Sequence, residues 1–249
     1  MEAPLIVSIS GIRGLVGQSL TDEVVARFAA AFGTTLDSDA TVIIARDPRP
    51  SGAGFAKVAA AALAQTGCRV IDLGKCSTPG AKLLITELDA QGAIVITASH
   101  NPQPWNGLKL VRSDGIFLNA EQGQRVEALF HSGEFRQADG GSIATLDPAE
   151  VKKRHLDKIL AHIDADAIRQ ARFKVAVDPC NGAGALLAPD LLAALGAEAT
   201  LINAEPDGEF AHEPEPVPAN LVQLGAAVRD NNCAIGFAID PDADRVTLV

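Results

Sequence analysis

The chain has 249 residues, a length typical of one large domain or two ordinary ones and sufficient for a substantial core. With 47% hydrophobic and 21% charged residues, its composition excludes disordered, collagenous and fibrous proteins. The net charge of −10 argues against binding nucleic acid or an anionic membrane through bulk electrostatics, but it leaves an anionic small-molecule substrate open because screening limits charge effects to about 8–10 Å.

Strand and helix patterns alternate in the first half of the chain. The β-branched run at 42–44 predicts a strand, the Ala-rich segment 52–65 predicts a helix, and 70–73 predicts a further strand. This order predicts two parallel strands joined by a crossover helix.

The same order recurs in the second half. A strand is predicted at 175–177, a helix at 185–195 and a strand at 199–202. The repetition predicts an α/β protein with two related α/β/α domains and mixed, mainly parallel sheets.

A Gly-rich stretch at 138–142 separates the two copies. It predicts a domain boundary near residue 142, which gives domains at 1–142 and 143–249. The charged segment that follows, 149–163, is predicted to be helical.

Two buried strands lead into polar loops, one in each predicted domain. The strand at 93–97 runs into Ser99, and the strand at 234–239 runs into Asp240. Because ligands of open α/β sheets bind at the carboxyl ends of the strands, we expect these loops to face one shared cleft.

Two further features restrict the class of protein. No apolar run approaches the roughly 20 residues of a membrane span and the N-terminus lacks a secretory pattern, so we expect a cytoplasmic protein with no membrane partner. The cysteines form neither a Cys-x-x-Cys pair nor a zinc-finger spacing. We therefore expect buried thiols at Cys68, Cys76, Cys180 and Cys233.

The first polar loop holds the parts of an activated hydroxyl group. Ser99 follows an apolar strand, His100 lies beside it and Lys109 comes ten residues later, which offers a nucleophile, a base and a cation. The same loop can instead be a polar turn in which Ser99 and Asn101 cap neighbouring backbone groups. The spacing leaves both interpretations open.

The second polar loop carries three aspartates within five residues, Asp240, Asp242 and Asp244. Two carboxylates about 6 Å apart repel by roughly 3 kcal/mol at an effective dielectric of 20, so the loop requires a cation or wide exposure to water. Oxygen ligands favour magnesium over zinc. A helix-flanked calcium loop is disfavoured because Arg245 stands where that loop needs glycine. The remaining alternative is a solvated acidic turn.

Several arginines lie near predicted loops. Glycines flank Arg13, and Arg46 and Arg49 follow the first predicted strand. Guanidinium groups match phosphate oxygens, and glycine lets a backbone approach an anion closely. Each arginine alone is typical of a solvated charge or a structural ion pair. Together they predict a positive site that also includes Lys109, Arg112 and Arg245.

In these motifs the sequence resembles the α-D-phosphohexomutase family of phosphoglucomutases, phosphomannomutases and phosphoglucosamine mutases. The resemblance covers essentially the whole chain. Segments 97–102 and 106–109 resemble the family's phosphoserine loop and the segment after it, 240–245 its metal loop, 11–14 its N-terminal Arg motif, and 178–184 and 212–216 two second-domain segments.

The resemblance implies reversible phosphoryl transfer between phosphoserine Ser99 and a hexose phosphate with Mg²⁺. Sugar 6-phosphate and 1-phosphate would interconvert through a hexose bisphosphate. One Mg²⁺ would be held at Ser99, Asp240, Asp242 and Asp244. Lys109 would move the proton of the attacking sugar hydroxyl, with His100 as orienting group or alternative base.

The resemblance also implies which side chains bind phosphate or substrate. Arg13 and Arg245 would steady the phosphoryl oxygens during transfer. The further binding residues would be Arg46, Arg49, Asn101 and Asn106.

Members of the family have four domains, and this chain resembles the first two. We therefore expect phosphoserine and metal chemistry, little or no mutase activity in the isolated chain, and the C-terminal domains as partners in cis or in trans. One alternative is a metal-dependent phosphatase in which water cleaves a phosphoenzyme at Ser99. Another is a non-catalytic half that requires a separate C-terminal half.

Overall fold

Two β-sheets make up the framework of a computed structural model that describes residues 4–8 and 11–249. The strands of the first sheet are β1 (Ile6–Ser8), β2 (Gly11–Leu15), β3 (Thr41–Arg46), β4 (Arg69–Lys75), β5 (Gly92–Ile96), β6 (Trp105–Arg112) and β7 (Ser142–Thr145). Those of the second are β8 (Lys174–Asp178), β9 (Glu198–Leu201), β10 (Ile235–Ile239) and β11 (Val246–Leu248). The strand orders are β1-β2-β6-β5-β3-β4-β7 and β11-β10-β8-β9.

Helices cover both faces of the sheets. They are α1 (Asp22–Thr35), α2 (Gly52–Gln65), α3 (Thr78–Glu87), α4 (Ala120–Ser132), α5 (Pro148–Leu160), α6 (Ala165–Ala171), α7 (Ala188–Ala194) and α8 (Val222–Asp230). Along β3, Val42 and Ile44 pack in one hydrophobic cluster with α1 and α2, whereas Ile43 packs in another with α3. Alternate side chains thus enter two cores, which explains why β3 is apolar throughout.

The predicted duplication is confirmed by strand pairing. Strands β3 and β4 are parallel, as are β8 and β9, and β5 and β10 join β3 and β8 in parallel. Antiparallel strands β6 and β11 then follow on β5 and β10. Both sheets therefore contain the same four-strand order, β6-β5-β3-β4 and β11-β10-β8-β9, and the fold is two related α/β/α units.

The structure refines two predicted helices. The segment predicted as one helix at 185–195 is divided into a 3₁₀ turn, Ala183–Leu186, and α7. Pro189 lies in the first turn of α7, where its missing N–H is tolerated. The charged segment after 149 forms α5, which begins after the capping residue Asp147 and ends at Leu160.

The position of the domain boundary stays a prediction. Strand β7 pairs in parallel with β4 at the edge of the first sheet, although the boundary proposed near residue 142 assigned it to the second domain. This strand is exposed throughout and short, so its residues carry no apolar pattern that would indicate a strand.

The cysteines are free thiols in the described part of the chain. Cys68, Cys76 and Cys180 are buried as expected, whereas Cys233 is only half-buried, contrary to the expectation for this residue. Burial raises the pKa of Cys76 to about 12. Among the described helices, none combines the length and apolar content needed to cross a membrane.

Candidate active site

The two polar loops meet at the carboxyl ends of β5 and β10. The Ser99 hydroxyl donates a hydrogen bond to Asp240 Oδ2 at 3.0 Å. Ser99 has a left-handed backbone with φ of 51°, and its N–H donates to Thr97 Oγ1. Non-glycine residues rarely adopt this conformation unless their surroundings impose it. A backbone constrained by the loop thus directs the hydroxyl toward the second domain.

The three aspartates of the second loop lie close together. Carboxylate oxygens of Asp240, Asp242 and Asp244 lie within 4.8 Å of one another, and the first two residues are fully buried. Asp240 Oδ1 accepts the backbone N–H groups of Asp244 and Arg245, and Ala243 turns the chain through a left-handed φ of 59°. The loop therefore folds around one of its own carboxylates.

Burial and neighbouring charges shift the pKa values of the carboxyl groups in this cluster. Burial, together with the charges of Asp242 and Asp244, raises the pKa of Asp240 to about 6. Burial also acts to raise the pKa of Asp242, but the charge of Lys109 and the hydrogen bonds from Lys109 and Thr78 together hold it below its usual range. The carboxylates thus depend on neighbouring positive charge to remain ionised.

Lys109 supplies much of that charge from the first domain. It lies on β6, is buried, and donates to Asp242 Oδ2 and Asp244 Oδ2, each at 2.6 Å. Burial alone would lower the pKa of Lys109, but the two aspartates raise it. The side chain is therefore an ammonium that joins the two domains.

The donor set fits a hard divalent cation. All three side chains offer oxygen, and Asp242 Oδ1 is buried without a hydrogen-bond partner in the part of the chain that the structure describes. A buried carboxylate oxygen without a partner is costly, and a metal ion would satisfy it. The three aspartates therefore have the features of a Mg²⁺ site rather than those of a solvated acidic turn.

Two of the predicted phosphate-binding arginines lie at the same place. Arg245 donates through Nε and Nη2 to Asp240 Oδ2, both at 3.1 Å, and its Nη2 lies 3.4 Å from Ser99 Oγ. Arg13, on β2, donates to Asn101 Oδ1 at 3.2 Å. The structure thus brings Arg13, Arg245 and Asn101 to the Ser99 loop.

His100 lies beside Ser99 and is partly exposed. Its Nδ1 is buried and has no hydrogen-bond partner within residues 4–8 and 11–249. Burial and the positive charge of Arg245 lower the pKa of His100. Both effects favour the neutral ring.

A role of Arg49 in phosphate binding stays a prediction, and in this structure its guanidinium is engaged by the protein itself. Its side chain is buried, and Nε donates to Asp47 Oδ2 at 3.1 Å. The four remaining N–H groups all donate to carbonyl oxygens between the end of β5 and the start of β6, namely those of Ser99, Asn101, Pro102 and Trp105. A guanidinium has five N–H groups, so none is left for a ligand. Arg49 thus holds the Ser99 loop.

Asn106 and Arg112 are also engaged by other residues of the protein. Asn106 is fully buried, donates to Ser51 Oγ and accepts the N–H of Gly107, and its predicted role in ligand binding stays a prediction. Arg112 pairs with Asp114 at the amino end of β5, because β6 runs antiparallel. It therefore does not contribute to a positive site at the carboxyl ends of the strands.

Arg46 is not connected to the Ser99 loop by any hydrogen bond or ion pair of its side chain in the described ranges. It ends β3, and its side chain packs near Gly52. A role of Arg46 in phosphate binding stays a prediction.

Sequence reasoning missed two contacts at this site. Thr78, at the start of α3, donates its hydroxyl to Asp242 Oδ2. In the second domain, His212 Nε2 lies 2.9 Å from Asp178 Oδ2. The partners are far apart in the sequence, and a Ser-Thr-Pro pattern signals only a helix start.

Comparison with known sequences decides the family. The sequence models of "Phosphoglucomutase/phosphomannomutase, alpha/beta/alpha domain I" and "domain II" match residues 5–137 and 153–249. The chain belongs to the phosphoglucomutase/phosphomannomutase family. The resemblance seen in the motifs is thereby confirmed, including its restriction to the first two domains.

Individual relatives agree with this assignment. A "Phosphoglucomutase/phosphomannomutase" of Thermococcus kodakarensis is 37% identical over 244 residues, which are 96% of this chain and 54% of that protein. A "Phosphoglucosamine/phosphogalactosamine mutase" of Sulfurisphaera tokodaii is 35% identical over 246 residues, with 96% and 53% covered. The chain thus spans about half the length of the curated relatives that it matches.

A solved structure shows the same architecture. A phosphoglucomutase/phosphomannomutase family protein of Burkholderia thailandensis superimposes with a TM-score of 0.83 at 30% identity. The superposition covers 98% of this chain and 55% of that protein. The arrangement of the two α/β/α units is therefore that of the family.

Proposed function

We propose that this chain is the phosphoserine-bearing and magnesium-binding half of a phosphohexomutase. Ser99 exchanges a phosphoryl group reversibly with a hexose phosphate, and sugar 6-phosphate and 1-phosphate interconvert through a hexose bisphosphate. The observation that carries the proposal is the 3.0 Å contact between Ser99 Oγ and Asp240, within a cluster of three carboxylates from the other domain. Since the chain spans about half of its relatives, the full reaction is proposed for the chain together with further domains.

Mg²⁺ is the cofactor that this donor set supports. Asp240, Asp242 and Asp244 would hold it, together with the oxygen at Ser99. When bound, Mg²⁺ neutralises the negative charge on the phosphoryl group and on the carboxylates. A phosphoserine adds about −1.5 to −2 charges to the aspartates, so a dication is needed to keep the cluster together.

The transfer itself is a displacement at phosphorus. The sugar hydroxyl oxygen forms a bond to phosphorus while the bond from phosphorus to Ser99 Oγ breaks, and the hydroxyl proton passes to a base. Lys109 and His100 are the two candidates for moving this proton: the pKa of His100 is lowered, which favours the neutral ring that can accept it, whereas Lys109 could accept it only after losing the proton that Asp242 and Asp244 stabilise. Arg245, 3.4 Å from Ser99 Oγ, and Arg13 steady the phosphoryl oxygens.

A metal-dependent phosphatase is the second candidate function. The side chains of Asp244 and Arg245 are 26% and 39% exposed, so water reaches the edge of the site. In that case water, not a sugar hydroxyl, would cleave the phosphoenzyme at Ser99. A cytoplasmic location and a phosphosugar as the sole ligand class, without nucleic acid or membrane, stay predictions.

Phosphorylation of the purified chain tests the proposal. Incubation with a hexose 1,6-bisphosphate and Mg²⁺ should add one phosphate to the peptide containing Ser99, seen by mass spectrometry, and none to S99A. Stable phosphate that a hexose monophosphate removes with formation of bisphosphate supports the mutase half-reaction. Rapid loss to water with Mg²⁺ supports the phosphatase. Absence of phosphate from Ser99 in a folded chain contradicts both.

A further inference from the structure

Helix α3 of the first domain begins directly against the acidic loop of the second. Ser77 caps the helix by accepting the N–H of Gly80, and Thr78 is the first helical residue. The first N–H groups of a helix have no partner within the helix. That of Thr78 donates to the backbone carbonyl of Asp242 at 2.9 Å, across the domain contact.

The Thr78 side chain forms a second hydrogen bond to Asp242. Its hydroxyl donates to Asp242 Oδ2, and Thr78 is 1% exposed. One residue of the first domain thus fixes both the backbone and the carboxylate of one residue of the second. A carboxylate held at one oxygen and at its own backbone has little freedom to rotate.

The two oxygens of Asp242 consequently have different surroundings. Oδ2 accepts from Thr78 and Lys109, whereas Oδ1 is buried and has no partner among the described residues. A hydroxyl donor fixes the carboxylate without adding a charge that competes with a cation. The Lys109 ammonium does add such a charge, so the two donors affect a bound cation in opposite ways.

We propose that Thr78 is a positioning residue of the divalent-metal site, which makes metal affinity depend on the contact between the domains. Thr78 fixes Asp242 so that Oδ1 points to the ion without itself binding the ion. This inference rests on the proposed function, since it requires that the acidic loop binds a divalent cation. A purely structural role would instead have Thr78 join the domains with no effect on metal binding.

Mn²⁺ titration of the full chain, followed by the electron paramagnetic resonance signal of free Mn²⁺, separates the two roles. T78V keeps the shape of the side chain and the backbone N–H but removes the donor. We expect it to weaken Mn²⁺ binding by roughly tenfold or more, the usual effect of losing a group that orients a metal ligand. T78S restores the hydroxyl, and its affinity should be close to that of the wild type.

A matched control measures the general effect of losing a buried hydroxyl. Thr66 is also fully buried, and its hydroxyl donates to the carbonyl of Leu63 at the end of α2. T66V should therefore change thermal stability but not Mn²⁺ affinity. Circular dichroism and thermal unfolding without metal show whether each variant is folded, and T78A replaces T78V if the latter does not fold.

Three outcomes contradict the proposal. Wild-type affinity in a folded T78V or T78A shows that Thr78 does not position the site, and a T78S as weak as T78V shows that the hydroxyl is not the group that acts. Both leave the proposed function intact. Failure of the wild-type chain to bind Mn²⁺ overturns the metal site of the proposed function, and the role of Thr78 with it.

Discussion

Each domain contains an equivalent turn that begins with an aspartate, but the residue two positions after that aspartate differs between the domains. After β3, the N–H of Arg49 donates to Asp47 Oδ1 at 3.0 Å, and after β8 the N–H of Cys180 donates to Asp178 Oδ1 at 2.9 Å. An aspartate at this position commonly satisfies the backbone two residues further along the chain. The duplicated fold has therefore kept the turn while the residue after the proline has changed.

The Oδ2 atoms of these two aspartates have different partners as a result. Asp47 Oδ2 accepts from Arg49, whose guanidinium holds the Ser99 loop, whereas Asp178 Oδ2 accepts from His212. A guanidinium is always charged, but the charge of an imidazole depends on pH. The aspartate of the first turn thus pairs with a permanent charge that holds the Ser99 loop, whereas the aspartate of the second turn pairs with a titratable group.

Of the substitutions that test this comparison, replacement of Arg49 should cause the largest loss in the free energy of unfolding. R49A leaves the Asp47 carboxylate buried without its cation and removes the donors to the Ser99 loop, so we expect a loss of about 3–5 kcal/mol in the free energy of unfolding. Burial already raises the pKa of Asp47, which shows how much that carboxylate depends on its partner. Urea denaturation at pH 7 measures the loss.

R112A is the matched control, because Arg112 also pairs with an aspartate but lies at the surface. An exposed ion pair contributes about 0–1 kcal/mol. R49K, which keeps the charge but not the planar group, should fall between the two. Equal stability of R49A and R112A would contradict a special role for the buried guanidinium.

Gly208 tests how closely the second domain approaches the turn of the first. It has a left-handed φ of 77°, and a Cβ there would lie 2.6 Å from the carbonyl carbon of Pro48. G208A should therefore lower the free energy of unfolding by about 1–3 kcal/mol through strain and close contact.

G17A separates these two causes. Gly17 has a similar φ of 75°, but nothing lies within 4 Å of a Cβ at that position. Its substitution thus reports backbone strain alone. Equal losses of stability in G208A and G17A would show that the domain contact at Pro48 adds nothing.

These contacts mark the limit of what the sequence predicts. The apolar runs of β3, β5, β8 and β10 and the polar residues after them were sufficient to predict the fold class and to suggest that Ser99 and Asp240 face one cleft. Strand patterns are local, and parallel strands bring their carboxyl ends to one edge. Such features need no knowledge of distant side chains.

The roles of individual polar side chains were harder to predict. Arg49 donates to backbone carbonyl groups, which every residue has, so no sequence pattern marks it as buried. Arg112 was misplaced because the antiparallel direction of β6 carries it to the far edge of the sheet. Thr78 was missed because its partner is 164 residues away in the chain.

The titratable His212–Asp178 pair of the second domain predicts a pH effect that the Asp47–Arg49 pair of the first domain lacks. The hydrogen bond to Asp178 raises the pKa of His212 above its ordinary value. A raised pKa in the folded state means that the stabilisation is complete below the unfolded value of about 6.5 and is lost as pH rises through the folded value. The contribution of the His212–Asp178 pair to stability should therefore fall with rising pH in this window.

Urea denaturation of the wild type and H212Q between pH 6 and 9 measures this effect. The difference in unfolding free energy between the two proteins should shrink as pH rises, because the other titrating groups are common to both. Parallel pH profiles would show that the His212–Asp178 pair does not stabilise the fold through its charge. R49K should leave this slope unchanged.

Phe210 should give the smallest effect, and it connects the second domain to the turn of the first. Its ring, from the second domain, lies 4.7 Å from the guanidinium carbon of Arg49. F210L keeps apolar volume but removes the cation–π contact, so we expect a loss of about 1 kcal/mol. The informative quantity is the coupling between F210L and R49K in a double-mutant cycle, because residues in direct contact are not additive. Zero coupling would mean that the second domain only covers Arg49, whereas a measurable coupling means that domain contact helps to hold the Ser99 loop.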